Sequence, residues 1–250
     1  MIPLRDTERS RTKPVITKII IAANVVIFLY QLTLGIGVEP FIYRFGLVPA
    51  YYFQQAAEGD AWRFEPVFTH MFLHGGFFHI IFNMLFLWIF GDNVEDRLGK
   101  ARFVVFYLVC GLSAAYMQLY LNRGSDLPMV GASGAIAGVM GGYLVLFPRA
   151  RILTLIPIFF FVQLVEIPAV VFLGIWFLIQ FISGTAMLGR ASTGGGTAWW
   201  AHIGGFVAGV ILVRLMAPRI RKATQFPADY GGHRHGTASD ATFGDGTYRL

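Results

Sequence analysis

Apolar stretches long enough to cross a bilayer recur along this chain, and nothing else constrains its fold as tightly. A hydrocarbon core of about 30 Å takes about 20 residues of helix. Six stretches approach or reach that length, at about 16–37, 76–93, 101–121, 133–147, 168–188 and 198–215. With 56% hydrophobic and 14% charged residues, and a mean hydropathy of +0.60, the chain does not have the composition of a soluble protein. Each span must satisfy its own backbone polar groups in lipid, which favours helices joined by short loops. The expected fold is therefore all-α, a polytopic bundle of six transmembrane helices over residues 16–215, flanked by an N-terminal segment, 1–15, and a tail, 216–250.

Charge sets the orientation. With six spans both termini share one side, which would hold every Lys and Arg except Arg44, Arg63, Arg123 and Arg190. The positive-inside rule then puts both termini in the cytoplasm. This accounts for the net charge of +6 without invoking nucleic acid. The Gly-, Thr- and His-rich tail lacks apolar periodicity and is expected to be disordered, its His-Arg-His at 233–235 lacking the neighbours of a metal site. Cys110 reads as inert core. No small-residue cleavage site follows the first span, so that span is expected to remain. Residues 152–165, interrupted by Pro157 and closed by Glu166 to Pro168, are too short to span and are read as an interfacial or re-entrant segment.

Polar side chains inside spans are costly, so each is a functional candidate. Three groups stand out. His74, His79 and Asn83 lead into the second span, with His79 and Asn83 four apart on one face. Ser133 opens the fourth, within Gly131-Ala-Ser133-Gly134 and ahead of a small-residue stripe of Gly134, Gly138 and Gly142. His202 stands four or five residues into the sixth, followed by a second stripe, Gly205 and Gly209. Each alone has a bland reading, as a packing residue or a side chain bonded to backbone.

Topology joins them. The second, fourth and sixth spans run in the same direction, so the three groups share one end of the bundle. The fourth span, at about 22 Å by helical rise, is shorter than the bilayer core, which sinks Ser133 on the order of 8 Å below the surface, level with His202 and Asn83. The loop 122–132 should dip towards Ser133 and make a wet pocket. Ser133 and His202 then suit a nucleophile and its general base, with His79, Asn83 and the Ser133 N–H as oxyanion donors. No acid lies at that depth to complete a triad. A dyad is expected, with Asp126, seven residues before Ser133, as the alternative third member.

Taken together, Trp62-Arg63, His79-xxx-Asn83, Gly131-x-Ser133-Gly134 and Ala201-His202-x-x-Gly205 resemble the rhomboid intramembrane proteases in order and spacing, over about residues 16–215. The resemblance implies Ser133 as nucleophile, His202 as base, His79 and Asn83 on the oxyanion, and His74, Trp62, Arg63, Gly131, Gly134, Gly138 and Gly205 in support. It implies single-span membrane proteins as substrates in the lipid bilayer, a bacterial plasma membrane as the location, and neither metal nor cofactor. Two departures stand out. Ala137 replaces the aromatic that many members stack on the histidine, so His202 should be held differently, and the stretch between Arg63 and His74 is longer than usual. Two alternatives remain at this point: a rhomboid-like protein that escorts helices without cutting them, and a small transporter. The transporter is disfavoured by the lack of mid-membrane Asp or Glu and of inverted repeats.

Overall fold

A computed structural model of the chain describes residues 1–158, 161–187 and 197–217. Five helices are long and apolar enough to cross a membrane: α1 (Val15–Thr33), α5 (Phe77–Leu98), α6 (Lys100–Leu121), α8 (Ala169–Met187) and α9 (Trp199–Met216). The shorter α7 (Ser133–Leu146) stands among them, and α2 (Val38–Phe45), α3 (Pro49–Glu58) and α4 (Glu65–Thr69) build the long loop between α1 and α5. The six expected spans are thus six helices. The second reaches five residues further than the sequence suggests, because the polar run Asp92 to Arg97 stays helical.

Centrality explains the composition of α7, whose residues from Gly134 to Tyr143 are all buried. A helix apolar on every side needs neighbours on every side. Its glycines bring them close. A Cβ built on Gly205 of α9 would lie 1.9 Å from the Gly134 carbonyl oxygen, and one on Gly209 equally close to that of Gly138. On α7 itself, a Cβ at Gly134 would meet Ala114 at 2.5 Å and one at Gly138 would meet Cys110 at 2.3 Å. Both stripes therefore lie at helix contacts, with α7 wedged between α6 and α9. Outer faces of the long helices keep apolar side chains exposed, Val26 and Leu29 on α1 and Ile182 on α8 among them, as lipid contact requires.

The N-terminal end of α1 is closed from a distance. Pro14 at its N-cap offers no side-chain acceptor, and the carboxylate of Glu95 on α5 takes the N–H groups of Ile16 (3.0 Å) and Thr17 (2.8 Å) together with the Thr17 hydroxyl (2.8 Å). A buried carboxylate at a helix N-terminus satisfies orphan donors and meets the positive end of the dipole.

The described residues of 152–165, expected to be a single interfacial or re-entrant segment, lie instead in two paired strands. β2 (Arg151–Ile158) and β3 (Phe161–Pro168) pair antiparallel from Arg151↔Pro168 to Ile158↔Phe161, and β1 (Ile2–Asp6) adds to the other edge of β2. β-branched and aromatic enrichment favours the extended form over a helix too short to be stable. Pro157 is tolerated because β1 pairs with Ile152 to Leu155 and, among the described residues, nothing pairs with the far end of β2 on that side. The N-terminal segment thus carries a strand. The tail from 218 on, with its His-Arg-His, and the loop 188–196 lie outside the described residues.

Candidate functional site

Ser133 is the first residue of α7, and its neighbour Ala132 provides no capping side chain. The hydroxyl has another partner. Its Oγ lies 2.8 Å from His202 Nε2, the imidazole reaching across from the first turn of α9. The contact of α7 and α9 through glycine sets this distance, since any larger side chain at Gly205 would push the two backbones apart. His202 is buried and Ser133 half-buried at the edge of a cavity of about 860 Å³. His79, Phe82 and Asn83 line it from α5, and Pro128, Met129 and Val130 from the loop ahead of α7. That loop does come down beside Ser133.

On the opposite wall, His74 and Asn83 form a pair: the Asn83 amide lies 3.0 Å from His74 Nε2. His74 is fully enclosed, and its backbone exchanges two hydrogen bonds with the Gln31 side chain on α1. Burial, with His79 nearby as a smaller cause, pushes its imidazole down to about 4, so His74 is neutral at ordinary pH. It fixes Asn83, whose amide carries a second N–H for the cavity. His79 Nδ1 accepts from Gly75 N–H at 3.4 Å, which leaves its hydrogen on Nε2. That Nε2 lies against Gly131: a Cβ there would come within 2.7 Å of it, and Gly131 has φ +120°, a backbone open to glycine.

Trp62 and Arg63 are not brought to this cavity. They sit in the α1–α5 loop, where Asp60 accepts from the Trp62 N–H through its side chain and from Arg63 through its carbonyl, and they line a separate hollow with Tyr43, Arg44 and Tyr52. Their contacts order that loop. Gly134, Gly138 and Gly205 are at helix contacts, as described above. Asp126 is exposed, and the Nδ1 of His202 goes elsewhere.

It goes to Gln180. The side-chain oxygen of this buried α8 residue lies 2.7 Å from His202 Nδ1. One turn earlier, Trp176 faces the same imidazole, with centroids 5.7 Å apart and planes tilted by 36°. Ala137 beneath is fully buried and offers no ring. The aromatic missing from α7 is thus supplied by α8. Sequence reasoning missed both residues, although a lone polar side chain in an apolar span is the signal that picked out Asn83.

The rhomboid domain profile matches residues 58–219, from the loop before α5 to the end of α9. The chain belongs to the rhomboid family. It is 31% identical over 160 residues to "Rhomboid protein 1, mitochondrial" of Saccharomyces cerevisiae, covering 62% of this chain and 42% of that protein. It is 40% identical over 88 residues to "Putative rhomboid protease YdcA" of Bacillus subtilis, covering 35% of this chain and 42% of that one. With "Rhomboid protease GlpG" of an Enterobacter species it shares 30% identity over 139 residues, 56% of this chain and 46% of the relative. The chain spans under half the length of these curated relatives. Like them in family, this rhomboid is an integral membrane protein with a helical bundle.

Proposed function

We propose that this rhomboid is an intramembrane serine endopeptidase that cuts transmembrane segments of single-span proteins with Ser133 and His202. The observation that carries the reading is the 2.8 Å contact between Ser133 Oγ and His202 Nε2 at the edge of a cavity in the bundle. A serine hydroxyl is a weak nucleophile until a base accepts its proton. Ser133 Oγ attacks the scissile carbonyl carbon as its proton passes to His202 Nε2. The carbonyl oxygen becomes an oxyanion, received by the Ser133 N–H and by the Asn83 and His79 donors around it. Collapse breaks the C–N bond, His202 protonates the departing amine, and water activated by the same imidazole releases the acyl group. Family membership supports the reading, as does the naming of two of the relatives as proteases.

Gly131 and His74 serve the oxyanion donors, the first by its close approach to His79 and the second by holding Asn83. Gly134, Gly138 and Gly205 keep the reacting pair in register. The distribution of Lys and Arg supports a topology with both termini in the cytoplasm. The test is covalent: the purified protein treated with a fluorophosphonate should carry the adduct on Ser133 by mass spectrometry, and should cut a single-span substrate in liposomes. A protein that binds such a substrate without labelling or cutting would be an escort of membrane helices instead.

A further inference from the structure

The amide of Gln180 has only one orientation that satisfies both its neighbours. Its nitrogen lies 3.3 Å from the Trp176 carbonyl oxygen, which can only accept, so the NH₂ end must point there. The Oε1 end is thereby turned on His202 Nδ1 at 2.7 Å, and since that oxygen can only accept, the imidazole must carry its hydrogen on Nδ1. Nε2 is then left with a free lone pair, and it is Nε2 that faces the Ser133 hydroxyl. A chain of forced assignments thus runs from a backbone carbonyl of α8 to the nucleophile.

We infer that Gln180 is a positioning residue for the reaction, an uncharged counterpart of the acid that usually orients a catalytic histidine, holding His202 in the tautomer able to take the Ser133 proton. In a low-dielectric interior a neutral amide can do this where a carboxylate would be costly to bury. The tilted Trp176 ring beside the imidazole limits its movement while the hydrogen bond fixes its rotation. Oxyanion stabilisation belongs to other residues, so loss of Gln180 should slow Ser133 without abolishing its reaction.

The inference rests on the serine-protease reading above, and the experiment separates the two. The full chain in detergent is labelled with a fluorophosphonate across pH, as wild type, Gln180→Leu and Gln180→Glu, with thermal melting of each. Gln180→Leu should label on the order of 10–10² times more slowly, below the 10²–10⁴ that a positioned base contributes. Gln180→Glu keeps an acceptor and should recover most of the rate, while its acid limb moves to higher pH because a carboxylate favours the imidazolium. If folded Gln180→Leu labels at the wild-type rate, or if both variants are equally slow with the wild-type pH profile, Gln180 only fills space and the inference is overturned. Nitrogen-15 spectra of histidine-labelled protein, with His202→Ala for assignment, give an answer on the native side chain. Hydrogen on Nδ1 supports the inference and hydrogen on Nε2 overturns it. Failure of the wild type to label Ser133 would instead overturn the proposed function, while the spectra still decide the tautomer.

Discussion

His202 is touched by a hydroxyl, an amide oxygen and the faces or edges of two tryptophans, Trp176 and Trp199. A side chain so enclosed acts as part of a unit, and units lose function all at once. Ser133→Ala and His202→Ala should each abolish cleavage of a membrane substrate, with the double variant no worse than either and little change in melting temperature for Ser133→Ala. Additive losses in the double variant would show that the two work separately. Asn83→Ala removes one of the proposed oxyanion donors and should cost about 10²–10³ in rate while leaving the protein slow rather than inert. A wild-type rate would mean that the Asn83 amide spends both hydrogens elsewhere. Ser133, His202, His79 and Asn83 were legible in the sequence because polar groups stand out against apolar spans. Gln180 was passed over because its partner is fixed only when α8 packs on α9, and nothing in spacing along the chain announces that contact.

Among the elements, the glycine contacts were legible as stripes at helical spacing, and the shortness of α7 as an apolar span of fewer than about 20 residues. Gly205 gives a sharp test of these contacts, since its absent side chain faces backbone, which cannot rotate away. Gly205→Leu should both melt at a markedly lower temperature and lose labelling of Ser133. An active, equally stable variant would mean that α7 and α9 can separate without harm to the reacting pair. The hairpin was not legible as strands: in residues 152–165 apolar side chains occupy both alternate sets of positions, so neither period two nor period 3.6 shows, and Pro157 reads as a break until the short reach of β1 is known. The capping of α1 by Glu95 was hidden for another reason, because donor and acceptor are separated by 79 positions in the case of Ile16.

Across the whole molecule, the strand at the N-terminus ties three distant parts together. Asp6 at the end of β1 accepts from Tyr143 on α7 and from Asn93 on α5. Burial pushes its carboxyl up from 3.8 to about 6, against the lowering effect of the tyrosine. The folded state therefore holds this proton more tightly than the unfolded one, and stability falls as pH rises from about 4 to about 6. Asp6→Asn keeps the acceptor and removes the charge. It should melt higher than wild type at pH 8, by about 2–4 °C if partial exposure leaves on the order of 1 kcal/mol, and the gap should close near pH 4–5. Melting curves with the same gap at pH 5 and pH 8 would assign the effect to something other than this carboxyl. The same strand also sets a schedule for synthesis. Residues 2–6 are made well before their pairing partners, Ile152 to Leu155, with α1, α5, α6 and α7 in between, and Glu95 reaches the bare end of α1 only once α5 exists. This strand is fastened only after four of the helices have been made, so a fusion placed ahead of Ile2 would interfere with the closing of the bundle rather than with the insertion of α1.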